Sequence, residues 1–289
     1  PPSATMDLYR QLNDFQVYNG NYSRLQTNYQ YKWSFEWERV EAHESVTRFL
    51  QDYWHHSVSI SVLYYLSIIC IERWMKGRPA FSLSTPLLLW NSALAAFSIF
   101  GFVRLTEDVA YSALNYGFYK TICYSCLPND VAAFWSLLFA ISKVVELGDT
   151  LFIVLRKKKL IFLHYYHHVA VLVYTIHSGA EHTAAGRVFM SMNYLAHSLM
   201  YSYFAACAAG WRPPRLLSAC LTAVQTLQMV AGVLISCAVY HIKTTHQWPC
   251  QQSLANVYLS FIIYLTFAVL FIQFFYSAYV SKSMKSKKA

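Results

Sequence analysis

Long apolar runs alternate with short polar or basic segments along most of the chain after residue 54. A helix needs about 20 apolar residues to cross the hydrocarbon layer of a membrane. The pattern therefore predicts an all-α membrane protein with about seven transmembrane helices, the third and seventh long enough to tilt. Their predicted ranges are 57–75, 86–106, 131–155, 159–178, 187–209, 215–240 and 254–280.

The two ends of the chain differ from these spans. Residues 1–54 are polar and aromatic, and 36–52 fits an amphipathic helix lying on the bilayer surface. We therefore expect a luminal or interfacial segment (1–54), a seven-helix membrane domain (55–281) and a basic cytosolic tail (282–289). Asn21 begins the sequence Asn-Tyr-Ser, which is a glycosylation site only if this end is luminal.

Composition and charge support a membrane protein and exclude a nucleic-acid partner. The chain is 56% hydrophobic and only 13% charged, whereas soluble domains carry about a quarter charged residues. Its net charge is +9, but the basic residues concentrate in alternate loops between apolar runs and at the C-terminus. That asymmetry predicts that these loops and the C-terminus lie in the cytosol and the N-terminus in the lumen.

Three of the seven cysteines fall in the two loops that this topology places in the lumen. The lumen is oxidising, so a disulfide between these loops is expected. Cys123 and Cys250 are the preferred pair, and Cys126 is the alternative partner. The other four cysteines fall inside spans, where they are expected to act as small packing residues.

The last six predicted spans divide into two groups of three that start on opposite sides of the membrane. This is the topology of an inverted repeat, which favours a site between the halves near the membrane centre. The two halves show no clear sequence similarity, so the prediction rests on topology alone.

Three histidines stand in the otherwise apolar and aromatic run 160–176. His164, His167 and His168 have i, i+3, i+4 spacing, which places them on one helix face. Ionisable groups inside a membrane segment usually mark a functional site. A three-histidine zinc site is one interpretation, and nucleophilic or acid–base catalysis on a thioester is the other.

The third span carries Lys143, Glu146 and Asp149 at intervals of three residues. Lys143 and Glu146 can pair on one face. Such a pair either positions helices only or forms a polar wall that supports the histidines on the next helix.

Polar pairs at helical spacing also occur in the fifth and sixth spans. Asn193 and His197 lie four residues apart, and Gln225 and Gln228 lie three apart. The histidine and asparagine are candidates for the same site, while the glutamines are typical of hydrogen bonding between membrane helices.

The polar residues of these spans form four strings along the chain. They are Lys143-x-x-Glu146-x-x-Asp149-Thr150, His164-x-x-His167-His168, His197-x-x-Met200-Tyr201-x-Tyr203 and Thr222-x-x-Gln225-x-x-Gln228. In this order they resemble the signature boxes of the very-long-chain fatty acid elongases (the ELO family). The resemblance covers roughly residues 53–280, and it is closest to the subgroup acting on saturated and monounsaturated acyl-CoA. One departure is Phe204, where the family usually has a second tyrosine after Tyr203.

The resemblance implies an endoplasmic-reticulum enzyme that condenses long-chain acyl-CoA with malonyl-CoA. The products are 3-ketoacyl-CoA, free coenzyme A and carbon dioxide, and neither a metal nor another cofactor is expected. The six last helices would form a barrel around an acyl tunnel whose closed end sets chain length. Expected partners are membrane lipid, a second copy of the chain, and the reductases and dehydratase that complete the elongation cycle.

The family mechanism also implies roles for individual residues. His167 would attack the acyl thioester and hold the chain as an acyl-imidazole, and His168, His197 and Asn193 would activate or stabilise the malonyl unit. His164 would support the other two histidines of its box. The expected polar support is Lys143, Glu146, Asp149, Gln225, Gln228 and Tyr201, and the loop Arg156, Lys157, Lys158 and Lys159 is either a clamp for coenzyme A phosphates or an ordinary positive-inside loop.

Overall fold

A computed structural model describes residues 4–15 and 25–281 of the chain. Asn21 and the basic tail 282–289 lie outside the described residues. Within them the regular elements are helical, apart from one isolated parallel bridge between Gln26 and Ser125. The all-α class is therefore confirmed for the described residues.

The helices follow the predicted order of apolar runs. The α-helices are α1 (Ala4–Asn13), α2 (His43–Tyr53), α3 (His56–Met75), α4 (Ser84–Cys123), α5 (Val131–Val145), α6 (Asp149–Leu155), α7 (Phe162–Glu181), α8 (Gly186–Ala208), α9 (Arg215–His241) and α10 (Leu254–Phe275). Short 3₁₀ turns cover Glu36–Glu38 and Glu146–Gly148, and π-helical turns extend α9 over Ile242–His246 and α10 over Tyr276–Val280.

Four helices in the described residues are long and apolar enough to cross a membrane: α3, α4, α9 with its π turn, and α10 with its π turn. The protein is therefore a multi-pass membrane protein. The remaining segments are either short, as α5 and α6 are, or rich in polar side chains, as α7 and α8 are. The count of seven spans stays a prediction.

Helix α4 is much longer than the predicted span 86–106, since it continues to Cys123 with a bend at Gly117. Gly117 has φ +75° and ψ 178°, a backbone conformation that glycine adopts without a steric penalty. The extension persists because Asp108 and Ser112 are buried against a neighbouring helix rather than exposed to solvent.

The predicted span 131–155 is also not one continuous helix. The 3₁₀ turn Glu146–Gly148 divides it into α5 and α6. A Cβ atom at Gly148 would lie 2.8 Å from the ring of Trp90, so only glycine lets α4 approach this closely. The break places the side chains of Glu146 and Asp149, which flank Gly148, in different surroundings.

Six helices contact one another in a closed circuit, in the order α4, α5, α7, α10, α9, α8 and back to α4. Helix α3 lies outside the circuit and packs against α6 and α7. The helices run between two ends of the circuit. One end carries the basic loop 156–159, and there Phe81 N donates to Leu155 O. At the other end, called the disulfide end below, Gln251 N donates to Cys123 O.

The N-terminal segment covers the disulfide end of the circuit. Helix α2 packs against α7, and the buried Glu38 accepts hydrogen bonds from Arg104 at 2.6 and 2.8 Å and from the Trp135 indole at 2.8 Å. The region predicted as a surface helix, 36–52, therefore belongs to the packed body of the protein.

Candidate active site

A cavity extends along α7 from His167 towards the disulfide end. The α7 residues that line it recur every three or four positions as far as His182, a distance of about 22 Å at 1.5 Å per residue. Apolar side chains from the neighbouring helices form most of the remaining wall, and Asn193 and Gln228 join the lining. The wall includes Phe139, Phe189, Met229, Ile263 and Phe267.

The three histidines of α7 do not all contact this cavity. His167 lines it, with its ring centroid 5.0 Å from that of Phe267 on α10. His164 and His168 do not line it; their ring centroids are 4.5 Å apart, and His168 is nearly buried. Helical spacing placed the three rings on one face, and the structure separates one cavity-lining imidazole from two supporting ones.

A hydrogen-bond chain from outside the circuit holds His164. Its Nε2 lies 3.0 Å from Thr150 Oγ1, and that hydroxyl lies 2.5 Å from the Tyr64 hydroxyl on α3. Tyr64 was not predicted as a site residue, because nothing in the sequence relates a tyrosine of the first span to a histidine 100 residues later.

A second buried cluster joins α5 to α8. Lys143 Nζ donates to both carboxylate oxygens of Glu146, at 2.8 and 3.0 Å, and to Asn193 Oδ1 at 2.9 Å. His197 Nδ1 lies 3.6 Å from Glu146 Oε1. The lysine, the glutamate and the asparagine are all less than 10% exposed. The polar wall was expected to support the histidines of α7. The contacts described here instead go to α8, to Asn193 directly and to His197 through Glu146.

The contact with Lys143 fixes the orientation of the Asn193 amide. A lysine ammonium has only donors, so the amide must present its carbonyl oxygen to it. The amide NH₂ group is then what Asn193 offers to a ligand in the cavity that it lines. In chemical terms the wall of this mostly apolar cavity holds an imidazole, His167, and a fixed N–H donor, Asn193.

Asp149 takes part in a different network from Glu146. Its Oδ1 accepts from the Trp90 indole at 2.6 Å and its Oδ2 from the Tyr201 hydroxyl at 2.7 Å. Tyr201 is 2% exposed. Trp90 was missed from the sequence, because it lies in an apolar run without polar neighbours at helical spacing.

The two glutamines of α9 occupy different positions. Gln228 is buried and lines the cavity, whereas Gln225 Nε2 lies 3.3 Å from the Met200 sulfur on α8. The second contact is the helix-to-helix role expected for a membrane glutamine.

The basic loop 156–159 lies immediately before α7, at the end of the helix circuit opposite the disulfide end. None of its residues lines the cavity. Lys157, Lys158 and Lys159 are exposed, and Lys157 Nζ lies 3.4 Å from Lys76 O. The assignment of this loop to coenzyme A binding stays a prediction.

At the other end the structure joins Cys123 to Cys250 by a disulfide, with Cα atoms 4.3 Å apart. Cys126 is a free thiol that lines the cavity. Burial raises the pKa of its thiol to about 12, which leaves it as an unreactive thiol at neutral pH. The link ties the end of α4 to the segment before α10.

Within residues 4–15 and 25–281, no three His, Cys, Asp or Glu side chains converge as metal ligands would. His164 is directed to a hydroxyl and His197 to a carboxylate that already accepts from a lysine. Both side chains therefore take part in contacts within the protein.

Comparison with known proteins gives consistent matches over most of the chain. The chain is 55% identical to the putative fatty acid elongase 4 of Caenorhabditis elegans, over 98% of this chain and 97% of that protein. It is 40% identical to the very long chain fatty acid elongase 6 of Drosophila melanogaster, over 87% and 80% of the two chains. The human very long chain fatty acid elongase 6 is 39% identical, with 88% and 96% covered.

The GNS1/SUR4 (ELO) family profile matches residues 49–287, which include the networks around Lys143, Asp149 and His164. With that match and relatives aligned over most of their length, the chain belongs to the ELO family of fatty acid elongases.

Proposed function

We propose that the protein is the condensing enzyme of a fatty acid elongation cycle, a very-long-chain 3-oxoacyl-CoA synthase. It joins a long-chain acyl-CoA to the two carbons of malonyl-CoA and releases coenzyme A and carbon dioxide. The observation that carries the proposal is the position of His167, whose imidazole lines one end of a long, mostly apolar cavity. Its length of about 22 Å suits an extended long-chain acyl group.

In the first half-reaction the unprotonated nitrogen of His167 attacks the thioester carbonyl carbon. The carbon–sulfur bond breaks, and coenzyme A leaves as a thiolate that gains the proton released by the acyl-imidazolium. The apolar wall of the cavity supports this step, because exclusion of water protects an acyl-imidazole from hydrolysis.

In the second half-reaction malonyl-CoA loses carbon dioxide, and the electron pair of the broken carbon–carbon bond forms a thioester enolate. The enolate carbon attacks the acyl carbon and the carbon–nitrogen bond to His167 breaks. The leaving imidazole takes up one proton from solvent, which is the proton consumed overall when the malonyl carboxylate is lost as carbon dioxide. The NH₂ group of Asn193, fixed by Lys143, is a preorganised donor for the enolate oxygen. His197 and His168 complete the polar surroundings, and His164 supports His168.

The membrane arrangement follows from the chemistry of coenzyme A, which is a polyanion that stays in water. The basic loop 156–159 then lies on the cytosolic face of the endoplasmic reticulum, one turn before α7. Six helices of the seven-span domain (55–281) surround the acyl chain as a 3+3 inverted repeat. The closed circuit of helix contacts supports that ring. The disulfide end is luminal, where Asn21 is glycosylated.

Substrate preference and partners are part of the same proposal. Relatives at 37–40% identity are called very long chain fatty acid elongases 3 and 6. Together with the sequence resemblance, this favours saturated and monounsaturated acyl-CoA. The 3-ketoacyl product passes to the reductases and dehydratase of the cycle.

The proposal is tested with purified protein given palmitoyl-CoA and malonyl-CoA labelled in the free carboxyl group. We expect labelled carbon dioxide together with a 3-ketoacyl-CoA two carbons longer than the substrate. His167→Ala, in a detergent preparation of equal thermal stability, is the matched control and should form neither product. Absence of the ketoacyl product from the wild-type protein, across acyl-CoA substrates of 12 to about 22 carbons, would overturn the proposal.

A further inference from the structure

The end of the cavity far from His167 is not formed by the circuit of helices alone. Five residues from the N-terminal segment line it, and most of them belong to α2: Val40, His43, Val46, Thr47 and Leu50. The family match begins at residue 49, so four of the five precede the matched region. The chemistry of the site thus lies within the family region, whereas the part of the far end formed by Val40 and α2 lies mostly outside it.

Helix α2 is attached to the C-terminal turn of α7 by side-chain hydrogen bonds. Thr47 Oγ1 lies 2.7 Å from His182 Nε2, and Gln51 Nε2 donates to Ala180 O at 3.1 Å. His182 caps α7 in the left-handed conformation, with φ 54°. A residue other than glycine rarely adopts this conformation, and here the contact with Thr47 accompanies it.

Leu50 lies over the one glycine on this face of α7. Its Cδ1 is 3.8 Å from the position that a Cβ atom of Gly179 would take, which is van der Waals contact. Leu50 also packs in the apolar cluster of Phe15, Trp54 and Ala180. Val46 is one turn away on the same face, so the two side chains form adjacent parts of one apolar surface.

We propose that α2 is the floor of the acyl cavity and that Val46 and Leu50 determine the longest acyl chain the enzyme elongates. This inference rests on the proposed function. The acyl carbon is held at His167, so the methyl end of an extended chain reaches α2 after a fixed number of carbons. A chain that is longer must displace packed side chains, and one methylene in such a pocket changes kcat/KM by about 10–200-fold.

The test is the dependence of kcat/KM on chain length over a series of saturated acyl-CoA substrates. Val46→Trp adds volume at the floor and should lower kcat/KM at least about tenfold for the longest substrate the wild type accepts. It should leave substrates four or more carbons shorter nearly unchanged. Leu50→Ala removes volume and should extend the accepted range by at least one two-carbon step.

Phe49→Ala is the matched control, because Phe49 is on the same helix, is 60% exposed and does not line the cavity. It should keep the wild-type profile. The two floor variants are expected to shift the profile in opposite directions, which general destabilisation does not produce. An unchanged profile in both variants, with a wild type that makes 3-ketoacyl-CoA, would overturn this inference and leave the proposed function intact. A wild type that makes no ketoacyl product would instead contradict the proposed function.

Discussion

At the residue scale the central feature is the separation of roles among buried polar groups. His167 lines the cavity, whereas Lys143, which is paired with Glu146, donates a hydrogen bond to Asn193. Neither charged group lines the cavity. A buried pair of this kind is weak evidence for stability, because the cost of desolvation offsets the attraction. In the proposed mechanism its role is to set which end of the Asn193 amide is available to the substrate.

This arrangement predicts that Lys143 acts on the second half-reaction and not on the first. In Lys143→Met combined with Glu146→Leu, the amide of Asn193 loses its fixed orientation without leaving a buried unpaired charge. We expect acyl transfer to His167 to persist and condensation to fall about 10²–10³-fold, the usual loss for one oxyanion donor. Intact-protein mass spectrometry measures the first step and release of labelled carbon dioxide the second.

Asn193→Ala is the matched control, because it removes the donor itself and should give the same pattern. If the double variant loses acyl transfer and condensation in parallel, Lys143 has a general structural role and the assignment is wrong.

The sequence predicted the polar members of the site better than their partners. Helical spacing and the four boxes identify Lys143, Asn193 and His197, because their positions repeat with the period of a helix. Trp90 could not be found in this way, since its partner Asp149 is on another helix and its neighbours at helical spacing are apolar. His177, at the end of the predicted span 159–178, is only 2% exposed, and its Nε2 lies 2.9 Å from Leu12 O.

At the element scale the strongest contact is between α4 and α8, which pack along much of their length. A buried ion pair joins them: Arg187 NH1 lies 2.6 Å from Asp108 Oδ2, and the same guanidinium donates to the carbonyl oxygens of Lys120 and Thr121. Arg187 is the first residue of the predicted span 187–209, where a basic side chain is expected at the membrane surface. It is instead inside the protein, because the polar face of the extended α4 receives it.

Removal of one partner of this pair should be costly. Arg187→Met leaves the Asp108 carboxylate buried and unpaired, and we expect a loss of about 3–5 kcal/mol in the free energy of unfolding. Arg187→Met with Asp108→Leu removes both charges and should recover most of that loss. Thermal unfolding in detergent provides the measurement, and equal destabilisation of the single and double variants would show that the ion pair does not carry the effect.

The break between α5 and α6 gives a second prediction at this scale. Gly148→Ala puts a methyl group against the ring of Trp90, which is tied to Asp149 and has little freedom to withdraw. We expect a loss of about 1–3 kcal/mol, as for an overpacked core. Gly77→Ala is the control, because no atom lies within 4 Å of its added Cβ. A Gly148→Ala variant as stable as Gly77→Ala would contradict the packing argument.

The helix bounds show what hydrophobicity can and cannot predict. The span 187–209 agrees with α8 to within a residue at each end, because an apolar run and a polar loop coincide there. The ends of α4 and the break after α5 depend on tertiary contacts with Arg187 and Trp90. Such contacts leave no periodic signal in one sequence.

At the scale of the whole molecule, covalent and packing contacts close the disulfide end. The Cys123–Cys250 link has a sequence separation of 127 residues and joins the two halves of the chain. We expect Cys123→Ser with Cys250→Ser to lower stability by about 2–5 kcal/mol, as when a native disulfide is lost. Cys126→Ser should keep both the cross-link and the stability, and peptide mapping without reductant separates these cases. A cross-link that disappears in Cys126→Ser would reassign the pair.

The circuit of six helices also determines where α3 and α2 lie relative to the cavity. It encloses the apolar cavity and leaves α3 outside as a support for His164 through Tyr64 and Thr150. The apolar runs predicted the number of spans, and the family resemblance implied that six of them form a barrel. It did not predict the floor, because α2 has the composition of a surface helix and becomes part of the interior only by packing on α7.

The most direct test of the account is whether His167 carries the acyl group. Purified protein is incubated with acyl-CoA in the absence of malonyl-CoA and analysed by intact-protein and peptide mass spectrometry. We predict an added acyl mass on the peptide containing His167, its loss on addition of malonyl-CoA, and its absence from His167→Ala. An acyl adduct that forms unchanged in His167→Ala would contradict the account and assign the nucleophile elsewhere.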